Sequence, residues 1–413
     1  MKTLLASYRE VVGSEEIAVL EQLASRLQGR RVVHVNSTRE GGGVAEILQR
    51  LIPLQQELGL EARWETVDGP PEFFQATKTI HNTLQGAKGN LAARYRDAFE
   101  GAGLRNSEKL KNILEGADFV FIHDPQPAPL IQHCSDRRGC WIWRCHIDLS
   151  SPSRTVWRYL QPWVASYDAS IFSLPDFAQP LPHPVFLIPP CIDPLSDKNI
   201  LLPEEEVLSV FDRFGLDRAL PLVLQVSRFD HFKDPLGVIE ACRIVMKTAP
   251  MQLVLAGGGA SDDPEGEAVL QEVRRAAEGI PHVHILVLPS DAHRTINALQ
   301  RAAAVIVQKS IKEGFGLTVT EAMWKGKPVI GGNVGGIRLQ IIQGQTGYRV
   351  HTPEGLAFRL RHLLQRPEEG QVMGKKGREY ALENFLLPRL VRNELAIMLL
   401  LLQETPHRLE VTV

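Results

Sequence analysis

The 413-residue chain has no long apolar run. Its most apolar stretch, residues 396–402, is far short of the roughly 18 residues that cross a bilayer, and Arg389, Arg392 and Glu394 stand just before it. A buried C-terminal helix is expected there, and no membrane partner. Near the start, residues 3–6 are followed at once by Tyr8, Arg9 and Glu10, which leaves no apolar core for a signal peptide. Cysteine is scarce. Five residues, an odd number, predict reduced thiols and a cytoplasmic chain rather than a disulfide framework. Charge of one sign is lacking as well. With 46 basic and 48 acidic side chains the net charge is -2, which gives no field for general nucleic-acid binding. No repeat or low-complexity tract is present. What remains, 44% hydrophobic and 23% charged residues, is the composition of a globular protein that buries its core without disulfides or metals.

Several motifs are missing too. No G-x-G-x-x-G follows the first strand of either half, which argues against a nicotinamide dehydrogenase, and there is no Walker A pattern. No two aspartates are separated by a single residue, so the chain lacks the Asp-x-Asp with which many transferases hold a diphosphate through a metal. His133, Cys134, Cys140, Cys145 and His146 cluster in sequence without C-x-x-C spacing. Adjacent strand residues point to opposite faces, so Cys145 and His146 should diverge and a zinc site is not expected.

What is there is a rhythm. Residues 31–37 (RVVHVNS) read as a strand, Gly41, Gly42 and Gly43 as a tight turn, and Val44, Ile47, Leu48 and Leu51 recur at helical spacing. Further strands are expected at 118–122, 140–147 and 168–172. Proline density over 180–199 (PLPHPVFLIPPCIDPLSDKN) predicts a linker around one short strand, 185–188. The alternation then restarts. Strands are expected at 222–226, 252–256, 284–288, 304–308 and 328–330, and helices at 235–247, 265–278, 291–301 and 317–325. Strands alternating with helices predict an α/β chain of two Rossmann-like domains with parallel sheets. Residues 1–190 form the first and 191–385 the second, with a helical segment, 386–413, packing back on the body. Ligands are expected in a cleft at the carboxyl ends of the strands.

The strongest local signal is residues 313–330, EGFGLTVTEAMWKGKPVI. Gly314 and Gly316 allow close backbone approach, and a helix opening near Leu317 offers free N–H groups to an anion. Glu313 and Glu321 are separated by seven residues across this turn, a pair suited to sugar hydroxyls because a carboxylate accepts two hydrogen bonds from a diol. The plain alternative is a solvated loop acid and a favourable helix-start acid. Upstream, SRFDHFKDP follows a strand and places Arg228 and Lys233 where two cations can neutralise a diphosphate leaving group. Basic residues there oppose the following helix's dipole, so a bound anion explains them better than a solvated surface does. The glycine run AGGGA, 256–260, shapes a pocket wall or only a turn. His123 with Asp124, and His146, each end a strand, where a polar ligand contact competes with a satisfied rim residue.

These residues resemble the motifs of the retaining glycosyltransferases of family 4, over nearly the whole chain. The segments GGGVAEIL, HDPQP, WRCHID, PPCIDPLSDKN and SRFDHFKDPLGVI look like its trehalose-forming branch. The resemblance implies a GT-B fold with two Rossmann-like domains facing a cleft, the acceptor side N-terminal and the nucleotide-sugar side C-terminal. It implies reversible, retaining transfer of glucose from a nucleoside diphosphate glucose to free glucose, giving α,α-trehalose. Arg228 and Lys233 would bind the diphosphate and Glu313 the donor glucose, with the backbone of Phe315, Gly316 and Leu317 beside sugar and phosphate. Glu321 would take the ribose diol, and His146 would lie near the donor glucose. Asp124 and the Gly41, Gly42 and Gly43 loop would face the acceptor or phosphate. The expected partners are nucleotide-glucose, glucose and trehalose. No cofactor is required, a divalent metal could stimulate without a legible site, and a homodimer stays open. Cys191 within PPCIDP departs from the family pattern away from these groups. Two alternatives remain. A trehalose phosphorylase would use inorganic phosphate and need no ribose-binding Glu321, and an inactive sugar-nucleotide-binding protein would bind without turnover.

Overall fold

The computed structural model describes residues 2–40, 42–258 and 264–403, with the backbone alone at 264 and 265. The chain divides into two compact units, residues 1–188 with 388–413, and residues 189–387. Each unit is built on a parallel sheet of six strands flanked by helices.

In the first unit the strands are β1 (Arg31–Asn36), β2 (Glu61–Thr66), β3 (Phe119–His123), β4 (Cys140–Arg144), β5 (Ala169–Phe172) and β6 (Val185–Leu187), in the order β2-β1-β3-β4-β5-β6. Central strands are covered on both faces. Phe119, Val120, Phe121 and Ile122 are all fully buried, which is why β3 reads as a continuous apolar run rather than an alternation. The strand expected at 140–147 stops at Arg144 because the Asp124 carboxylate takes the His146 N–H at 2.7 Å. The apolar tail of the sequence forms the helix Leu387–Leu401, of which 388–401 belongs to this unit. It buries Leu390, Val391, Leu395 and Met398, and Arg392 reaches Glu16 at 2.6 Å.

The second unit carries β7 (Leu222–Val226), β8 (Gln252–Gly258), β9 (Val283–Leu288), β10 (Val305–Gln308), β11 (Val329–Gly332) and β12 (Gly347–Val350), in the order β12-β11-β10-β7-β8-β9. Two apolar clusters cover its faces, one around Leu224, Val254, Ile306 and Val319, the other around Val223, Leu253, Val307 and Val238. The helix Pro235–Met246 starts as its sequence dictates, with Asp234 as N-cap accepting from the Gly237 N–H and proline at the first turn.

Both sheets reverse direction once. In the first unit β2 lies on one side of β1 and β3 on the other; in the second β8 lies on one side of β7 and β10 on the other. Loops leaving the carboxyl ends of β1 and β3, and of β7 and β10, therefore part from each other. Those crevices are where an open α/β sheet binds ligands.

Candidate active site

At the β7/β10 crevice the structure brings together two residues that lie 80 apart in sequence. Lys233 closes a short 3-10 turn, His231–Lys233, that Asp230 caps by accepting the Phe232 N–H at 2.7 Å. Glu313 follows β10. Lys233 Nζ donates to Glu313 Oε2 at 2.7 Å, and the Ser310 hydroxyl donates to the same oxygen at 3.1 Å. Both side chains are largely buried, 17% and 10% exposed, while the other Glu313 oxygen takes no hydrogen bond among the described residues. A cation and an acceptor thus sit side by side. Gln225, at the end of β7, holds the Lys233 carbonyl through Nε2 at 3.1 Å, and Lys309 pairs with Asp234 beneath it.

Arg228 is on the same loop but not joined to the pair. Its side chain is 69% exposed and donates to Asp230 at 3.2 Å. Gly316 takes a left-handed conformation, φ 85°, as N-cap of the helix Leu317–Trp324, and no side chain caps that terminus. The N-terminal N–H groups and the positive dipole end stand beside the Lys233–Glu313 pair. The Phe315 ring is buried against Phe385 with centroids 5.6 Å apart, and its carbonyl accepts from Gln340 at 2.6 Å. Glu321 lies one turn into the helix and is 5% exposed. Its carboxylate accepts from Gln300 at 3.2 Å, and no hydrogen bond joins it to the pair among the described residues. One turn on, Lys325 donates to the Glu321 carbonyl at 3.2 Å and to Asn199 at 3.0 Å. Burial lowers the Lys325 pKa to about 7, against the pull of the nearby Glu321 carboxylate.

At the β1/β3 crevice, Gly42 (φ 82°) is the uncapped N-cap of the helix Gly43–Glu57. Gly41 lies outside the described residues, as do Gly259 and Ala260 of the second glycine run. The preceding turn is fastened by Arg39, which donates to the Trp64 carbonyl and covers the Trp64 ring at 5.0 Å. Asp124 has a positive φ, 64°, which an aspartate tolerates better than most residues. Its carboxyl accepts the His146 N–H, and burial raises its pKa to about 7.

Beneath His146 is a row that sequence reasoning did not assemble. His146 Nε2 lies 2.9 Å from His123 Nδ1, and His123 Nε2 lies 3.1 Å from His34 Nδ1. His34 Nε2 is 3.2 Å from Gln55, whose other edge is 3.1 Å from Glu394 Oε2 on the C-terminal helix. Arg144 faces the second Glu394 oxygen at 3.6 Å. Adjacent rings stack at 5.2 and 5.3 Å, and Phe121 closes the row over His34 at 4.7 Å. His123 and His146 were legible as strand ends. His34, Gln55 and Glu394 were not, because only the β1–β3 register and the returning helix bring them in. The loop 333–336 was missed also. A Cβ on Gly335 would lie 1.7 Å from the Glu313 carbonyl oxygen, and one on Gly336 would lie 2.5 Å from the Phe315 Cα. Among the described residues no three His, Cys, Asp or Glu gather as metal ligands, and no helix is long and apolar enough to cross a membrane.

Residues 34–179 match the family described as trehalose synthase, N-terminal domain, and residues 210–380 match glycosyl transferases group 1. The chain is 44% identical over 402 residues to the trehalose synthase of Pyrococcus horikoshii, covering 96% of each. A trehalose phosphorylase of Pleurotus pulmonarius is 29% identical over 408 residues, which cover 83% of this chain and 53% of that one. Among solved structures, a UDP-forming α,α-trehalose-phosphate synthase from Burkholderia xenovorans superposes with a TM-score of 0.72 at 15% identity, over 90% of this chain and 99% of that one. The fold is two-domain GT-B.

Proposed function

This chain belongs to the trehalose synthase family and is a glycosyltransferase of trehalose metabolism, and we propose that it transfers glucose from a nucleoside diphosphate glucose to free glucose, with retention, giving α,α-trehalose reversibly. The observation that carries this reading is the Lys233–Glu313 pair at the β7/β10 crevice. It sets a phosphate-neutralising cation beside a hydroxyl-binding carboxylate, at an uncapped helix terminus.

In this reading Lys233 and Arg228 meet the charge that builds on the diphosphate as the bond from glucose C1 to the phosphate oxygen breaks. The anomeric hydroxyl oxygen of the acceptor bonds to C1 on the same face, and its proton passes to the departing phosphate oxygen. Glu313, engaged by Lys233 and Ser310, accepts from glucose hydroxyls rather than attacking carbon. Glu321 takes the ribose diol through the oxygen that Gln300 leaves open, while Asp124, His146 and the turn at Gly42 and Gly43 serve the sugars. Two side-chain cations meet the leaving-group charge, so the reading asks for no resident metal.

The test runs the reaction backwards. Incubation with trehalose and, separately, UDP, ADP, GDP and inorganic phosphate is expected to yield a nucleotide-glucose from at least one diphosphate. Glucose 1-phosphate from inorganic phosphate alone selects the phosphorylase. Binding of nucleotide without any product from folded protein selects an inactive binder.

A further inference from the structure

The row of imidazoles in the first unit has a direction that its inner end dictates. An ionised carboxylate only accepts hydrogen bonds, so the Gln55 edge facing Glu394 is its amide NH2, and the edge facing His34 is its carbonyl oxygen. That oxygen also only accepts, so His34 carries its proton on Nε2. Burial keeps the imidazoles neutral, lowering the His34 pKa to about 3 and holding His123 and His146 well below the ordinary range. A neutral imidazole has one N–H. His34 Nδ1 is therefore a lone pair, His123 Nε2 donates to it, and His123 Nδ1 in turn accepts from His146 Nε2. His146, the partly exposed end of the row, is left with an unprotonated Nδ1.

Reversing the row would turn the Gln55 carbonyl toward the Glu394 carboxylate and set two acceptors face to face. The Arg144 guanidinium opposes this by favouring the ionised form of Glu394, whose pKa burial raises to about 7. His34, Gln55, His123, Arg144 and Glu394 are each at most 3% exposed, so water cannot substitute for a missing partner.

We propose that Glu394, acting through Gln55, His34 and His123, is a positioning residue that locks His146 in its Nε2–H tautomer, so that Nδ1 accepts a hydrogen bond from a sugar hydroxyl. The sugar contact rests on the assignment of His146 to the glucose site; the tautomer lock stands on the row alone. The C-terminal helix thereby sets the hydrogen-bonding sense of a residue at the other end of the row.

The test is long-range proton–nitrogen NMR on the full chain labelled with 15N-histidine, at pH 8. Signals are assigned by their loss in His34→Gln, His123→Gln and His146→Gln. The wild type should show all three rings neutral and protonated on Nε2. Gln55→Leu, with a native circular dichroism spectrum, should show His146 in both tautomers. Should that variant not fold, Glu394→Gln, whose amide can face Gln55 either way, should show the same mixing. A wild-type His146 protonated on Nδ1, or an unchanged His146 signature in the folded variants, overturns the lock. Kinetics test the sugar contact separately. Glu394→Gln should lower kcat about fivefold to tenfold, the weight of one misdirected hydrogen bond, with little change in KM for the nucleotide-sugar. Unchanged kcat and KM in His146→Gln would overturn the sugar contact while leaving the lock in place.

Discussion

Lys233 and Arg228 sit on one loop, yet their surroundings separate their roles. Lys233 is largely buried and committed to Glu313, whereas Arg228 is 69% exposed and, among the described residues, tied only to Asp230. Arg228→Ala should therefore leave the melting temperature unchanged and lower kcat with the nucleotide-sugar by roughly 10–100-fold, because exposed charge contributes little to stability but meets charge in the transition state. Lys233→Met should cost more, on the order of 100–1,000-fold, and should also lower the melting temperature by leaving the Glu313 carboxylate with Ser310 alone. Initial rates and thermal melts on both variants check this. An Arg228→Ala enzyme with wild-type turnover would remove Arg228 from the leaving-group site.

At the level of elements, the turn after β10 keeps its shape because a second turn lies directly on it. Gly335, with φ 44°, and Gly336 leave no room for a side chain against the backbone of Glu313 and Phe315. Gly335→Ala should push the Glu313 backbone away from Lys233, costing about 1–3 kcal/mol of stability and most of the activity. Gly215 is the control. It caps the helix Glu204–Phe214 at φ 62° with open space around it, so Gly215→Ala should cost only about 1 kcal/mol and leave kcat intact. Urea unfolding and steady-state kinetics on the two variants separate clash from strain. The same contrast explains what sequence could reveal. Glu313, Gly316 and Glu321 share one local turn and were legible, as were the central strands, whose apolar runs are buried on both faces. Edge strand β2, EARWET, is charged and partly exposed, and β12, GYRV, is short with two half-buried residues, so neither carries a strand's period. The Lys233–Glu313 bond and the histidine row needed strand order and register, which no local spacing contains.

On the scale of the whole molecule, buried ionisable groups are divided between the two units, and so are their pH windows. The first unit holds His34, His123, His146 and the half-buried His183, whose pKa values are lowered by burial. Folded His34 binds fewer protons than its unfolded form from pH 6.5 down to about 3, so it removes about 1.4 kcal/mol of stability for each pH unit of descent through that range. Asp124 and Glu394, both raised to about 7, work the other way, since their folded forms bind more protons as pH falls from 7. Four lowered imidazoles outnumber two raised carboxyls, so the first unit should lose stability on acidification from pH 6.5 to 5. In the second unit Lys325, lowered to about 7, acts in a different range. Its folded form binds fewer protons than the unfolded one above pH 7, so that unit should gain stability from pH 7 to 9. Tryptophan placement makes the first window measurable. Trp64, Trp141, Trp143, Trp157 and Trp163 lie in the first unit and Trp324 in the second, so urea unfolding followed by tryptophan fluorescence reports chiefly on the first. Its midpoint should fall between pH 6.5 and 5 in the wild type and fall less in His34→Gln, which removes one of the lowered imidazoles while both carboxyls remain. A wild-type midpoint flat across that range, or an equal fall in His34→Gln, would mean that the row takes up protons without unfolding.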